Sequence, residues 1–183
     1  VFKYFAIKLD LELSKGIKIF NTGLSLYGMT GLFAYNYAPS KTADQKWFAI
    51  DGSGWLQAPP PGCAELSKWA AAPDTLAFGA GVTVATNADE GKPFNGKFIL
   101  LVTLPGPVVF LEGRANLMKD RKELKNDAAF RAYTVFDGLA GTALFGLDAK
   151  WRYPEGGELI DIAGSSEAFF DFHDTSKWHI KVG

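Results

Sequence analysis

From Lys3 to Leu13 the chain alternates: Phe5, Ile7, Leu9, Leu11 and Leu13 are apolar, and Lys8, Asp10, Glu12 and Ser14 fill positions between and after them. A period of two sends successive side chains to opposite sides of an extended backbone. The segment therefore suits a strand with one dry and one wet face, not an amphipathic helix, whose apolar residues recur three and four apart. Lys15-Gly16 breaks the run and Ile17 to Phe20 resumes it. Asn21-Thr22-Gly23 then supplies hairpin-turn residues before a long run, Leu24 to Tyr37. Gly28 and Gly31 inside that run mark a bulge or a close approach between backbones. Three strands are expected before Pro39.

The same grammar recurs after one interruption. Residues 38–80 hold Pro39, Pro59-Pro60-Pro61, Gly52-Ser53-Gly54 and an Ala-rich stretch from Ala64 to Ala72. Alternation lapses there, so the segment reads as a Pro- and Ala-rich excursion covering part of the sheet. Its one short helix candidate is Gly62 to Ala71, with Leu66 and Trp69 three apart and Pro73 as the stop. A second β block opens at Gly81. Phe98 to Leu104 is almost continuously apolar, the pattern of a strand buried on both faces, and Pro105-Gly106-Pro107 ends it. Further strands are expected at Val108 to Leu117, Phe130 to Phe136, Thr142 to Tyr153, Glu158 to Ala163, Glu167 to Phe172 and Trp178 to Val182. Between them lie a charged connector, Lys119 to Lys125, whose charges should face water, and turn residues at Asp137-Gly138, Pro154 to Gly157, Gly164-Ser165-Ser166 and Asp174-Thr175-Ser176.

Short strands at regular spacing predict a mainly β chain: an antiparallel meander, a sandwich or an open curved sheet, forming one domain over residues 1–183. Leu32 to Pro39 and Leu147 to Pro154 share a loose cadence that suggests duplicated hairpins. Both ends of the chain fall inside strand-like patterns. We therefore expect a piece of a larger protein whose sheet edges meet other segments of the parent chain or copies of itself.

Composition narrows the function classes. Hydrophobic residues make up 48% of the 183 and aromatics 14%, too apolar for a disordered chain. Nineteen Lys and Arg nearly balance twenty Asp and Glu, scattered among one another, which argues against nucleic acid as a partner. The apolar run from Phe98 to Leu104 falls far short of the roughly 20 residues of a transmembrane helix. A lone Cys63 gives no internal disulfide and no thiolate cluster, which suits the cytoplasm and a secreted setting alike. It reads as a small buried residue.

Catalytic signatures are scarce. The chain has no phosphate loop, dinucleotide fingerprint, nucleophile elbow or HExxH sequence, and no cofactor is expected. The two histidines are His173 and His179. In Asp171-Phe172-His173-Asp174, Asp171 and His173 are two apart and would share a strand face, as an oriented base or half of a metal site. One His with two carboxylates is an incomplete ligand set for zinc or iron. Glu155, Glu158 and Asp161 cluster near one expected hairpin, as turn and surface charge. Glu112 and Arg114 should point to one side of a strand as an ion pair. For ligand recognition the candidates are Trp47, Trp55, Trp69 and Trp151, the first two because they flank Gly52-Ser53-Gly54 in an expected loop.

The stretch from Gly81-Val82-Thr83-Val84 through Phe98 to Pro107 and on to Leu111-Glu112-Gly113-Arg114-Ala115-Asn116-Leu117 resembles part of an uncharacterised family of large, β-rich bacterial proteins. Ala168 to Asp174 with Trp178 to Gly183 is similar to the same family. These are strand and turn motifs, so the resemblance implies a large multi-strand protein and transfers no site residue. The leading expectation is a non-enzymatic β scaffold or interaction segment of a bacterial structural or secreted protein. A module binding an apolar ligand such as a lipid, or a glycan, is the alternative. A hydrolase using His173 and nearby carboxylates comes third.

Overall fold

The computed structural model describes residues 3–41, 69–121, 124, 128–154 and 159–183. Nine strands follow one another in chain order: β1 (Phe5–Lys18), β2 (Leu24–Pro39), β3 (Trp69–Thr86), β4 (Phe94–Leu104), β5 (Val108–Leu117), β6 (Phe130–Asp137), β7 (Thr142–Tyr153), β8 (Ile160–Asp171) and β9 (His179–Val182). Each pairs antiparallel with its predecessor, giving one open nine-stranded meander with β1 and β9 at its edges.

The first alternating run and its continuation are one strand, because the Lys15-Gly16 break is absorbed as a register shift between Glu12 and Ile17. Gly28 sits at a second shift, between Leu26 and Gly28. There a Cβ would stand 3.1 Å from the Leu11 carbonyl oxygen, so the bare backbone is what lets β1 and β2 approach. Gly106, at φ 69°, makes the β4–β5 turn between its two prolines.

Further expectations change. The sheet resumes at Trp69, and Trp69 to Ala71 are strand, paired with Tyr37 to Pro39; the rest of the helix candidate lies outside the described residues. Alanine's weak strand preference yields to the ladder that β2 offers. Gly164-Ser165-Ser166 is not a turn but the middle of β8, in register with Leu147 to Ala149. Finally, Phe98 to Leu104 is buried on one face only: Leu101 is fully buried, whereas its neighbour Leu100 is 42% exposed.

The buried face holds the core. Leu32, Ala34 and Tyr37 of β2, Trp69 and Ala77 of β3, Leu101 of β4, Phe110 of β5 and Val135 of β6 form one cluster. Tyr37 lies against both Tyr4 and Trp69, with ring centres 5.4 and 5.5 Å apart. Farther along the same face the buried side chains are polar and paired. Glu112 accepts from Nε of Arg114 and of Arg131, each at 2.7 Å. Asn95 donates to the carbonyls of Gly91 and Lys119, and Asn116 accepts from the Ala129 amide. Chain segments reach across this face. Lys41, just past β2, meets Asp137 of β6 at 2.7 Å. Arg121, in the β5–β6 connection, lies over the Tyr27 ring and 3.5 Å from Glu12 of β1. That charge turns inward instead of facing water, since an aromatic face and a carboxylate await it.

Candidate functional site

The register places the other face residue by residue. One row runs Leu9, Gly31, Ala80, Leu100, Leu111, Thr134, Phe145, Ala168 and Ile180 from β1 to β9. The row beside it is Leu11, Met29, Val82, Phe98, Gly113, Ala132, Leu147, Ser166 and Val182. Offset by one residue, the row on the buried face reads Asp10, Thr30, Gly81, Ile99, Glu112, Tyr133, Gly146, Glu167 and Lys181. Because side chains alternate, every charged residue at a paired position of the nine strands points to the buried face, and no paired position on the exposed face is charged.

That exposed face is apolar and open. Leu9 is 71% exposed, and Phe5, Ile7, Leu11, Met29, Phe78, Phe98, Leu111, Phe136, Leu147 and Ile162 are exposed as well. Nine strands about 4.8 Å apart make it roughly 40 Å wide, and residues Met29 to Tyr35 of β2 alone span about 20 Å of its height. The largest apolar patch on an ordinary monomer covers about 300–600 Å². This face exceeds that. Toward the β9 edge it dips into an open depression of roughly 460 Å³, crossing from Phe98 of β4 to Ile180 of β9.

The tryptophans divide. Trp69 is 2% exposed, locked in the core by Tyr37. Trp151 stands at the rim of the apolar face, opposite Ile162, stacked on Tyr153 with ring centres 6.1 Å apart, and its Nε1 donates to the Leu117 carbonyl. Trp47 and Trp55 lie outside the described residues.

Asp171 closes β8, and its Oδ1 accepts from the amides of His173 and Asp174. Lys177 reaches Oδ2 of Asp171 at 3.2 Å and of Asp174 at 3.5 Å, sitting where a cation held by both carboxylates would be. The His173 amide, helped by Lys177, holds the Asp171 carboxyl below its ordinary value against some desolvation. The Ser176 hydroxyl and amide do the same for Asp174, and Asp171 raises Lys177. The arrangement is that of a polar strand-ending turn. Among the described residues no group of three His, Cys, Asp or Glu is placed to hold a metal ion. Of the carboxylates near the β7–β8 connection, Asp161 pairs with Arg152 at 3.0 Å, while Glu155 and Glu158 lie outside the described residues. Glu112 and Arg114 do share one side of β5, joined at 2.7 Å.

The sequence does not single out the apolar face, because its residues are the ordinary apolar half of each strand. The signal was present in Phe98 to Leu104: a strand apolar on both sides in a sheet whose neighbours place charge on only one of them. Among the described residues no helix is long and apolar enough to cross a membrane. Compared with known proteins, the chain matches no family model, no curated protein and no solved structure, so the chemistry of the face carries the functional reading.

Proposed function

We propose that this chain is a β scaffold whose working surface is the uncharged face of its sheet, and that the face takes up lipid hydrocarbon. The observation that carries the reading is the segregation of charge across nine strands, with exposed apolar side chains from Leu9 on β1 to Ile180 on β9. A protein partner of comparable size brings about one hydrogen bond per 100–200 Å² and a polar rim. The rows on this face offer little beyond the hydroxyls of Tyr35, Thr134, Tyr153 and Ser166 for such bonds. Acyl chains ask for none, and burying apolar area against them is favourable by about 25 cal/mol per Å².

Flotation of the full chain with phosphatidylcholine vesicles tests the reading. Wild type is expected to float, and a Leu9→Lys/Leu100→Lys/Phe145→Lys variant, with charge placed on three strands of the face, is expected to stay at the bottom. A wild-type chain that stays at the bottom, or a triple variant that floats as well as wild type, overturns it.

Pairing through the sheet edges is the second reading. It is favoured by β1, fourteen residues long and, among the described residues, paired to β2 alone. Concentration-dependent oligomers that Leu9→Pro abolishes, on an edge where proline blocks strand addition, are its signature.

A further inference from the structure

β2 and β3 outrun the strands on either side of them. β1 pairs with β2 only as far as Tyr35, and β4 pairs with β3 only as far as Leu76. Beyond those residues Tyr37 to Pro39 pair with Trp69 to Ala71 and, among the described residues, form no ladder with any other strand. Between the two stretches the register breaks, and Asn36 alone faces Ala72, Pro73, Asp74 and Thr75. Asn36 at φ 52° and Asp74 at φ 60° both take the left-handed conformation, which asparagine and aspartate adopt more readily than other side chains. Asn36 is buried; its Oδ1 accepts from the Asp74 amide and its Nδ2 donates to the Lys3 carbonyl, each at 2.8 Å.

This two-stranded arm lies back over the buried face. Before the break the buried positions of β2 are Leu32, Ala34 and Asn36; after it they shift by one, to Tyr37 and Pro39. Trp69 would stand in water on a straight hairpin running past the end of β4, yet it is 2% exposed and shares one cluster with Ala34, Ala77, Leu101 and Val135. Lys41 completes the crossing. β2 and β6 are about 19 Å apart in a flat sheet, farther than a lysine side chain spans, and Lys41 still reaches the buried Asp137 carboxylate at 2.7 Å. Aromatic packing, the Asn36 hydrogen bonds and this ion pair tie the arm down. All of them run through side chains, so the arm can leave without unpairing a strand.

We infer that the end of the β2–β3 hairpin is a hinged lid: residues 37–41 and 69–71 swing off the buried face as one body about Asn36 and Asp74, and the Lys41–Asp137 pair is the catch. A unit held to the sheet by side chains alone opens at lower cost than the sheet itself. Breaking the catch leaves Asp137, whose side chain is 4% exposed, without that counter-ion, and so favours the open form. The lid uncovers a second surface of the sheet, distinct from the uncharged face, while the nine strands stay paired.

Native-state thiol labelling of the full chain with N-ethylmaleimide, in a Cys63→Ser background, tests this. Ala34→Cys puts a probe in the cluster beneath the lid, and Ala85→Cys puts an equally buried one near the far end of β3. The Ala34→Cys thiol is expected to react through an opening whose urea dependence is smaller than that of global unfolding followed by circular dichroism. Lys41→Met should speed that reaction at least about tenfold and leave the Ala85→Cys rate within about twofold. Asn36→Gly keeps the positive φ but unties the hinge from Lys3 and Asp74, and should speed the Ala34→Cys reaction in the same selective way. Ala77→Cys, the register partner of Ala34 on β3, should follow Ala34→Cys and carries the test where Ala34→Cys fails to fold. Rates that rise together at both ends of the sheet, a rate beneath the lid that Lys41→Met leaves unchanged, or a urea dependence equal to that of global unfolding overturns the inference.

Discussion

The ring of Tyr133 occupies the space above Gly146 on the neighbouring strand: a methyl group at Gly146 would stand 2.0 Å from Cζ of the tyrosine. Arg131 lies over the other end of this arrangement, its guanidinium carbon 4.8 Å from the Tyr133 ring centre. Gly146→Ala must therefore push the ring off its seat. We expect a loss of about 1–3 kcal/mol, the usual range for overpacking, and a smaller further loss when Tyr133→Ala is added than Tyr133→Ala causes alone. Chemical denaturation of the four chains in this cycle measures the coupling.

Glu112 is 1% exposed and carries the interactions of two guanidinium groups. Glu112→Gln keeps the shape and removes the charge, leaving two cations short of their counter-ion in a poorly solvated place. A loss of about 3 kcal/mol is expected. Asp161→Asn, at the exposed pair with Arg152, should change the unfolding midpoint very little, by less than about 0.5 kcal/mol. Comparable losses at the two sites would show that Glu112 is better solvated than its burial implies.

Leu100 and Leu101 are adjacent and chemically identical, yet one is open and the other sealed. Leu101→Ala leaves a cavity in the core and should cost about 2–5 kcal/mol. Leu100→Ala removes a side chain from the open face and should cost under about 1 kcal/mol in vesicle-free buffer. Equal costs would mean that something covers the apolar face of the free chain.

Asp171 and Asp174 are held below the ordinary value of 3.8 by hydrogen bonds to their charged forms. A carboxylate whose value is lower in the folded state adds stability above its unfolded value and loses it as pH falls through the folded one. The β8–β9 turn should thus loosen below about pH 3.8. Trp178, whose Nε1 donates to the Asp171 carbonyl, reports it by fluorescence. The Asp171→Asn/Asp174→Asn chain should show no transition of its own in that window.

The β architecture was legible because alternation is a direct print of backbone geometry, as in Phe5 to Leu11, and because turn residues such as Pro105-Gly106-Pro107 bound the apolar runs, as before Val108 to Leu117. Two misreadings share one cause. Ala70 and Ala71, like Gly164 to Ser166, lack strand-forming side chains, and only the neighbouring strand makes them extend, as when Ser165 pairs with Gly183 through both its amide and its carbonyl. Phe98 to Leu104 failed differently. The rule that apolar means buried cannot see a face that stays apolar in water, and that same face is the candidate site. The polar cluster around Glu112 was half legible: Arg114 lies two residues away in the chain, whereas Arg131 arrives from the next strand.

Strand order here is simply chain order. Each strand needs only the one before it as a ladder template, so strand pairing can proceed in chain order without threading, while the contacts of Lys41 with Asp137 and of Arg121 with Tyr27 close later across the buried face. The same property keeps facing simple: because side chains alternate, adding or removing strands by the pair would leave the uncharged face on the same side of the sheet. A sheet of this kind is a ribbon that can be lengthened by the pair, and the uncharged surface would lengthen with it.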